Sequence, residues 1–263
     1  MPKTETRVLA ALLSIALLAG CASDSTSLGN RHRETTAEEA KASSAVVALV
    51  SHASPSRDLF GGFRCAGVLV APTVVLTARH CVAGLSADQL DVVVNPVDLC
   101  GPDPENEMRS PIREIRPTAD IDLAVVVMRS SATTSPARIA SVLPDARAQL
   151  VAVGWGRQAM TAPCQRSATG LSFAPAADCA RAISHLPRQA RRWQLCALPT
   201  SDQNTCTGDS GGGLFDVSQA KPLLVGITSA GVGGCEPDDV GLYIRVDTLE
   251  TQVTRLNEAV NRR

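Results

Sequence analysis

Short apolar runs separated by turn residues constrain the fold of this chain more than any other feature of its sequence. From Ala45 onward these runs are rich in Val and are bounded by Pro, Gly, Asp or Ser, which is typical of β-strands. About seven to twelve strands over this length predict an all-β barrel or sandwich. The runs interpreted as strands are residues 45–50, 67–70, 74–77, 90–94, 123–128, 150–153 and 223–228.

The C-terminal end has a different pattern. Leu249, Val253, Leu256 and Val260 follow one another at spacings of three and four residues. This spacing predicts an amphipathic helix over residues 246–260, which closes the domain.

Composition excludes several classes of protein. The chain has 263 residues and is 44% apolar, so that it can bury a core. Its 25 basic and 26 acidic side chains give a net charge of -1, whereas proteins that bind nucleic acid electrostatically usually carry a basic excess. The sequence has no repeat of fixed period, and no apolar run reaches the roughly 18 residues that a membrane-spanning helix needs.

Nine cysteines are many for a chain kept in a reducing compartment. None is spaced as C-x2-C or C-x4-C, so a structural zinc site has no support in the spacing. The alternatives are disulfides formed after export or several buried free thiols. The odd number leaves one cysteine with a separate role.

The N-terminus indicates export. Lys3 and Arg7 precede an apolar stretch at residues 8–18, and the stretch ends in Leu, Ala, Gly and then Cys21. This order resembles the lipobox of bacterial lipoproteins, which implies cleavage before Cys21, lipidation of Cys21 and attachment to a membrane, the outer one in a cell that has two. An ordinary secretory signal is the alternative, and it also exports the chain to a periplasm or to the exterior.

The chain therefore divides into three predicted parts. Residues 1–20 form the lipoprotein signal peptide. Residues 21–44 form the lipidated cysteine and a flexible tether rich in Ser, Thr and charge, in which residues 37–41 form at most a helical turn. Residues 45–263 form the folded domain.

Three short motifs carry the residues for a chemical reaction. His80 follows a strand and lies beside Cys81, Asp120 and Asp122 precede an apolar strand, and Ser210 is followed by three glycines. A serine hydroxyl needs an imidazole to accept its proton, and the imidazole needs a carboxylate to orient it. Backbone amides aimed at the developing oxyanion complete such a site.

In this order the motifs resemble those of the trypsin/chymotrypsin-like serine proteases, and the resemblance covers residues 45–263. It implies two packed antiparallel β-barrels with the site between them, and a serine endopeptidase that needs no metal or cofactor. The implied catalytic residues are His80, Asp122 and Ser210, and the implied oxyanion hole consists of the amides of Gly208 and Ser210.

Two alternatives were weighed against this assignment. Asp120 also starts an acidic pattern, but Asp122, followed by Leu-Ala-Val-Val, fits the pattern of the family better. Residues 208–212 formally match the G-x-S-x-G motif of α/β-hydrolases, in which the histidine follows the serine. Here all four histidines precede Ser210, which argues against that fold.

The resemblance also implies a substrate site. Asn204 takes the position at the base of the primary pocket and is neutral, and Gly231 and Gly241 match pocket-wall positions that leave the entrance open. Together they predict a roomy, neutral pocket for apolar or aromatic side chains. Glu236, Asp238 and Asp239 lie nearby and are the alternative, since they would attract basic side chains. The implied substrate-binding residues are Asn204, Thr205, Ser229, Gly231 and Gly241.

Cysteine pairing follows the same resemblance. It implies that Cys65 pairs with Cys81, Cys179 with Cys196, and Cys206 with Cys235. Cys100 and Cys164 remain as the fourth pair, for which the family offers no pattern.

The sequence lacks the activation motif that many members of the family have. Many members pair the Asp before the nucleophile, here Asp209, with a new N-terminus in an I/V-V-G-G motif, and no such motif precedes Val46. Three outcomes are open: Asp209 has another partner and the chain is active as made, a cleavage near residues 41–44 frees a terminus, or the site stays malformed. The first is favoured.

The sequence thus predicts an exported, lipid-anchored, monomeric endopeptidase that acts on proteins or peptides and not on nucleic acid. A catalytically silent binding protein with a protease fold is the principal rival. An esterase with the same triad and a purely structural lipoprotein are the others.

Overall fold

The computed structural model describes residues 36–52, 59–96, 98–100, 109–156 and 164–249. Its strands are β1 (Val46–Ser51), β2 (Phe63–Ala71), β3 (Val74–Thr77), β4 (Leu90–Val93), β5 (Arg109–Pro117), β6 (Ala124–Met128), β7 (Arg138–Ile139), β8 (Leu150–Gly154), β9 (Ser167–Phe173), β10 (Gln194–Pro199), β11 (Gly213–Asp216), β12 (Leu223–Val232) and β13 (Val240–Arg245). Its helices are α1 (Ala37–Ser44), α2 (Leu59–Gly62), α3 (Arg79–Val82), a 3-10 turn (Ala87–Gln89), α4 (Ala176–Ala182) and α5 (Arg188–Arg191).

The strands close into two antiparallel barrels. The first barrel runs in the order β1-β2-β3-β6-β5-β4, and β4 pairs with β1 to close it. The second runs β11-β8-β9-β10-β13-β12, and β12 pairs with β11 to close it, while β7 adds to β12 as a short parallel strand. The predicted fold of two packed antiparallel barrels is confirmed.

Each barrel has its own apolar interior, and a third core lies between them. In β1, Val47 and Leu49 point into the first barrel, whereas Val46, Ala48 and Val50 belong to the shared core. The same alternation holds in β8, where alternate residues face the second barrel and the shared core. Because both faces are buried, these strands read as continuous apolar runs in the sequence.

The sequence underestimated the number of strands, since thirteen are present among the described residues. The seven interpreted runs did not include β5, β7, β9, β10, β11 and β13, and two of these, β5 and β9, are partly exposed. In β5 the charged residues Arg113, Glu114 and Arg116 interrupt the apolar pattern, and Pro111 is not typical of a strand. β9 is built largely of Ser, Thr, Ala and Gly, which have weak strand signals.

Residues 36–44, which the sequence analysis placed in the flexible tether, form α1 with a cap. The Thr36 hydroxyl accepts from the Glu39 amide at 3.2 Å, and the Glu39 carboxylate accepts from the Thr36 amide at 2.8 Å. Ala42 is buried in the shared core, and Lys41 donates to the carbonyl oxygen of Ala220 at 3.2 Å. The Thr-x-x-Glu spacing was the available signal for this helix.

The predicted signal peptide, Cys21 and the first part of the tether lie outside the described residues. So does the predicted C-terminal helix beyond Leu249. Within the described ranges, no helix has both the length and the apolar character to cross a membrane.

Candidate active site

His80 lies at the end of β3, on the short helix α3. The Cys65–Cys81 disulfide fastens the next residue to β2. The His80 side chain is 47% exposed, so that the imidazole is accessible from solvent.

Asp122 contacts His80 at two points. Its Oδ1 accepts from the backbone amide of His80 at 2.9 Å, and its Oδ2 lies 2.8 Å from Nδ1. An ionised carboxylate only accepts hydrogen bonds, so Nδ1 carries the proton and Nε2 of the neutral ring is an acceptor. This is the tautomer that a general base for a serine hydroxyl requires.

A second hydroxyl supports Asp122. Ser229 Oγ donates to Asp122 Oδ2 at 2.6 Å. Burial alone would raise the pKa of Asp122, but the hydrogen bonds from His80 and Ser229 hold it below its ordinary value. The sequence analysis placed Ser229 in the substrate site, and no motif indicated this contact of its hydroxyl.

The loop that carries Asp122 is pinned by Arg79, whose Nη1 donates to the carbonyl oxygen of Ala119 at 2.9 Å. Asp120 in the same loop is exposed and makes no hydrogen bond with His80. The structure therefore brings Asp122, and not Asp120, to the imidazole.

The turn that carries Ser210 is seated against the first barrel. The Ser210 carbonyl oxygen accepts from the Ala66 amide at 2.9 Å. Gly211 has a φ of 81°, and a Cβ there would lie 2.2 Å from the Ala66 oxygen and 2.3 Å from Thr77 Oγ1, so that only glycine fits. Thr77 ends the strand that leads to His80. The Ser210 turn and His80 are therefore attached to neighbouring parts of the first barrel. Among the described residues no hydrogen bond joins the Ser210 hydroxyl to the His80 ring, and such contacts often form only with substrate bound.

Two backbone amides at this turn are available to a ligand. Neither the Gly208 amide nor the Ser210 amide donates to another described residue. Gly208 has a φ of 107°, and a Cβ there would lie 2.6 Å from the carbonyl oxygen of Trp155. Amides free in this way can bind the oxygen of a tetrahedral intermediate.

Asp209, between these two amides, is buried with a carboxylate that accepts from backbone only. Oδ1 accepts from the Gly156 amide and Oδ2 from the Cys206 amide, both at 2.8 Å. A Cβ on Gly154 or Gly156 would lie 2.3 or 1.9 Å from a carboxylate oxygen, so both positions require glycine. Burial raises the pKa of Asp209 to about 6, although the two amides oppose the shift. The first of the three outcomes open for Asp209 requires a partner other than an N-terminus. The described backbone amides of Gly156 and Cys206 are such partners.

Asn204 is buried beneath the predicted pocket, and its amide is used by the chain itself. Nδ2 donates to the carbonyl oxygens of Glu236 and Asp239, both at 2.8 Å, and Oδ1 accepts from the Thr205 amide at 2.8 Å. The Thr205 hydroxyl lies 3.0 Å from the Tyr243 hydroxyl, which is also buried. The side chain that the sequence analysis places at the base of the pocket is therefore neutral and hydrogen-bonded within the protein.

Two glycines face each other beside this pocket, since Gly231 on β12 pairs with Gly241 on β13. β11 pairs with β12 only as far as Ile227. No described strand covers the β12 edge beyond that point. This open edge can accept an extended peptide as an added strand.

All eight cysteines outside the N-terminal segment form disulfides within the described residues. They join the four pairs that the sequence analysis assigned: Cys65–Cys81, Cys100–Cys164, Cys179–Cys196 and Cys206–Cys235. Two groups in the part of the chain that the structure describes bring three potential metal ligands within 4.8 Å, but each contains one of these disulfides and so offers no thiolate: Cys65, His80 and Cys81; and Asp98, Cys100 and Cys164.

Known proteins share this sequence pattern. Residues 35–253 match the family model described as Trypsin. Hypodermin-A of Hypoderma lineatum is 24% identical over 210 residues, which cover 76% of this chain and 80% of that protein. Serine protease Hayan of Drosophila melanogaster is 29% identical over 215 residues, which cover 71% of this chain and 33% of that protein.

The raised pKa of Asp209 predicts a pH-dependent stability. The folded protein keeps a proton on this carboxyl up to about pH 6, whereas an unfolded Asp loses it near 3.8. The contribution of this proton to stability is thus complete below 3.8 and is lost as the pH rises through 6.

Asp209→Asn has no proton to lose. We therefore expect the free energy of unfolding of the wild type, minus that of Asp209→Asn, to fall by about 2 kcal/mol between pH 4 and pH 6.5. Denaturant titrations of both proteins at each pH measure this difference, and other titrating groups cancel in it. A difference that does not vary with pH would contradict the burial of a titrating carboxyl.

Proposed function

The chain belongs to the trypsin family, and from the geometry of its site we propose that it is a serine endopeptidase with Ser210 as nucleophile, His80 as general base and Asp122 as the orienting carboxylate. The observation that carries the proposal is the double contact between Asp122 and His80. The same barrel holds the Ser210 turn through the hydrogen bond from the Ala66 amide to the Ser210 carbonyl oxygen. This arrangement supports acyl transfer, which needs a base that a carboxylate orients close to the nucleophile.

The reaction proceeds in two halves. Ser210 Oγ attacks the scissile carbonyl carbon while His80 Nε2 takes the hydroxyl proton, and Asp122 stabilises the imidazolium that forms. The carbonyl oxygen becomes negative and is bound by the amides of Gly208 and Ser210. His80 then gives the proton to the amine that leaves, and an acyl-Ser210 intermediate remains. Water, deprotonated by His80, hydrolyses the ester and restores the hydroxyl.

Labelling with a fluorophosphonate tests the nucleophile in the uncut chain. We expect wild type to label, Ser210→Ala to lose labelling, and His80→Ala to label at least about 10³-fold more slowly because the base is gone. His185→Ala is the matched control, since this exposed histidine lies outside the site, and it should label like wild type. A wild type that does not label would favour the silent binding protein. A wild type that labels and hydrolyses esters but cleaves no peptide would favour the esterase.

The substrate is proposed to be an extended peptide on the open edge of β12, with one apolar or aromatic side chain in the pocket above Asn204. A basic side chain would meet no carboxylate from Asn204, whose amide is engaged with the carbonyl oxygens of Glu236 and Asp239. This contact supports the neutral-pocket hypothesis.

A panel of peptides that differ only at the residue before the scissile bond tests this preference. We expect wild type to favour Phe or Leu over Arg, and Asn204→Asp to raise the relative kcat/KM for Arg at least about tenfold through a new ion pair. The same variant should unfold with about 1–3 kcal/mol less free energy, since a carboxylate cannot donate to the two carbonyls. Glu236→Gln controls for the acidic loop: a wild type that prefers Arg, and loses that preference in Glu236→Gln, would overturn the neutral pocket.

Export and lipid attachment at Cys21 are also proposed. The four disulfides support an oxidising compartment, because such bonds persist mainly in exported proteins. Metabolic labelling with a fatty acid should mark the wild type and not Cys21→Ser. Labelling that survives in Cys21→Ser would contradict lipid attachment at Cys21. A wild type that is exported and soluble would support the alternative, an ordinary secretory signal.

A further inference from the structure

Arg166 carries a partly buried positive charge that forms no ion pair with a carboxylate among the described residues. It lies just before β9 of the second barrel, yet its Nη1 donates to three oxygens of the first barrel. These are Asn95 Oδ1 at 3.0 Å, the Val46 carbonyl at 3.3 Å and the Pro96 carbonyl at 3.4 Å. Burial lowers the pKa of Arg166 to about 10, so the guanidinium is still charged at neutral pH.

The same guanidinium lies over the ring of Trp155, with its central carbon 5.8 Å from the ring centroid. Phe63 of the first barrel meets this ring edge-on, with centroids 5.6 Å apart and planes at 62°. Trp155 is itself 2% exposed. A cation and an aromatic ring thus hold the indole in one position.

The backbone of Trp155 and Gly156 supports the turn that carries the nucleophile. The Trp155 carbonyl oxygen packs against Gly208, where a Cβ would lie 2.6 Å from it. The next amide, of Gly156, donates to Asp209 Oδ1 at 2.8 Å. A displacement of the indole would therefore shift the support of both Gly208 and Asp209.

We propose that Arg166 is a positioning residue for the oxyanion hole: it fixes Trp155, and Trp155 and Gly156 fix the amides of Gly208 and Ser210. This rests on the proposed function. It also explains how the turn keeps its shape when Asp209 is held by backbone amides and by no cation of the described residues. Arg166 acts through packing of the indole, because its guanidinium makes no contact with Asp209 itself.

The test compares Arg166→Met, which keeps much of the volume and removes the charge, with Arg166→Lys, which keeps the charge and loses the planar stacking group. Arg192→Met is the matched control, since Arg192 lies over Trp193 at 5.5 Å in an exposed position outside the site. Each uncut protein is assayed for kcat and KM on one peptide, for inhibition by a peptide aldehyde, and for thermal stability. The aldehyde forms a tetrahedral adduct with Ser210 whose oxygen occupies the oxyanion hole.

We expect Arg166→Met to lower kcat about tenfold with KM within twofold, and to weaken the aldehyde by the same factor, because only the transition state uses the two amides. Arg166→Lys should fall between it and the wild type, and Arg192→Met should match the wild type. A fall in thermal stability with kcat unchanged would mean that Arg166 only stabilises the contact between the barrels, and it would overturn the proposal.

Two further outcomes are distinguishable. If Arg166→Met does not fold, Arg166→Lys decides: a lower kcat at constant KM supports the proposal, and wild-type kinetics overturn it. If the wild type itself neither labels with fluorophosphonate nor cleaves peptide, the proposed function fails, and this inference fails with it. An active wild type with an unaffected Arg166→Met defeats this inference alone.

Discussion

The turn that carries Ser210 is covalently part of the second barrel, but it is seated on the first. Its carbonyl accepts from Ala66, and Gly211 leaves no space between the turn and that strand. His80 and Asp122 are carried by the first barrel, so this contact sets the position of the proposed nucleophile relative to the proposed base. The shared apolar core behind it keeps the two barrels from sliding, since close-packed interiors resist small displacements.

Asp209 lowers the stability of the fold but fixes the arrangement of the segments around the Ser210 turn. A buried carboxylate held by two amides is less stable than a paired or exposed one. Its two oxygens nevertheless connect the turn to the Trp155–Gly156 segment on one side and to Cys206 on the other. The residue that lowers stability is therefore the one that joins the parts of the proposed oxyanion hole, as is common at functional sites.

The fold could be predicted from sequence because strands buried on both faces, such as β1 and β8, give unbroken apolar runs. The order of His80, Asp122 and Ser210 indicated the chemistry because each lies in a short local motif. What escaped prediction depends on contacts between distant segments. β5 and β9 are half exposed and lack the pattern, and the Ser229 contact with Asp122 spans 107 positions. The locking of Asn204 by a loop more than 30 positions away likewise needs the folded loop to be seen.

The capped helix α1 also shortens the chain that would link the folded domain to the proposed anchor at Cys21. A tether that ran from Cys21 to Ser44 would let the catalytic domain stand up to about 80 Å from the membrane surface, since an extended residue spans roughly 3.5 Å. Because α1 packs on the folded domain and follows its cap at Thr36, the chain from Cys21 to Thr36 can span at most about 50 Å. With the proposed anchor in place, the domain would reach only proteins that lie near the same membrane surface.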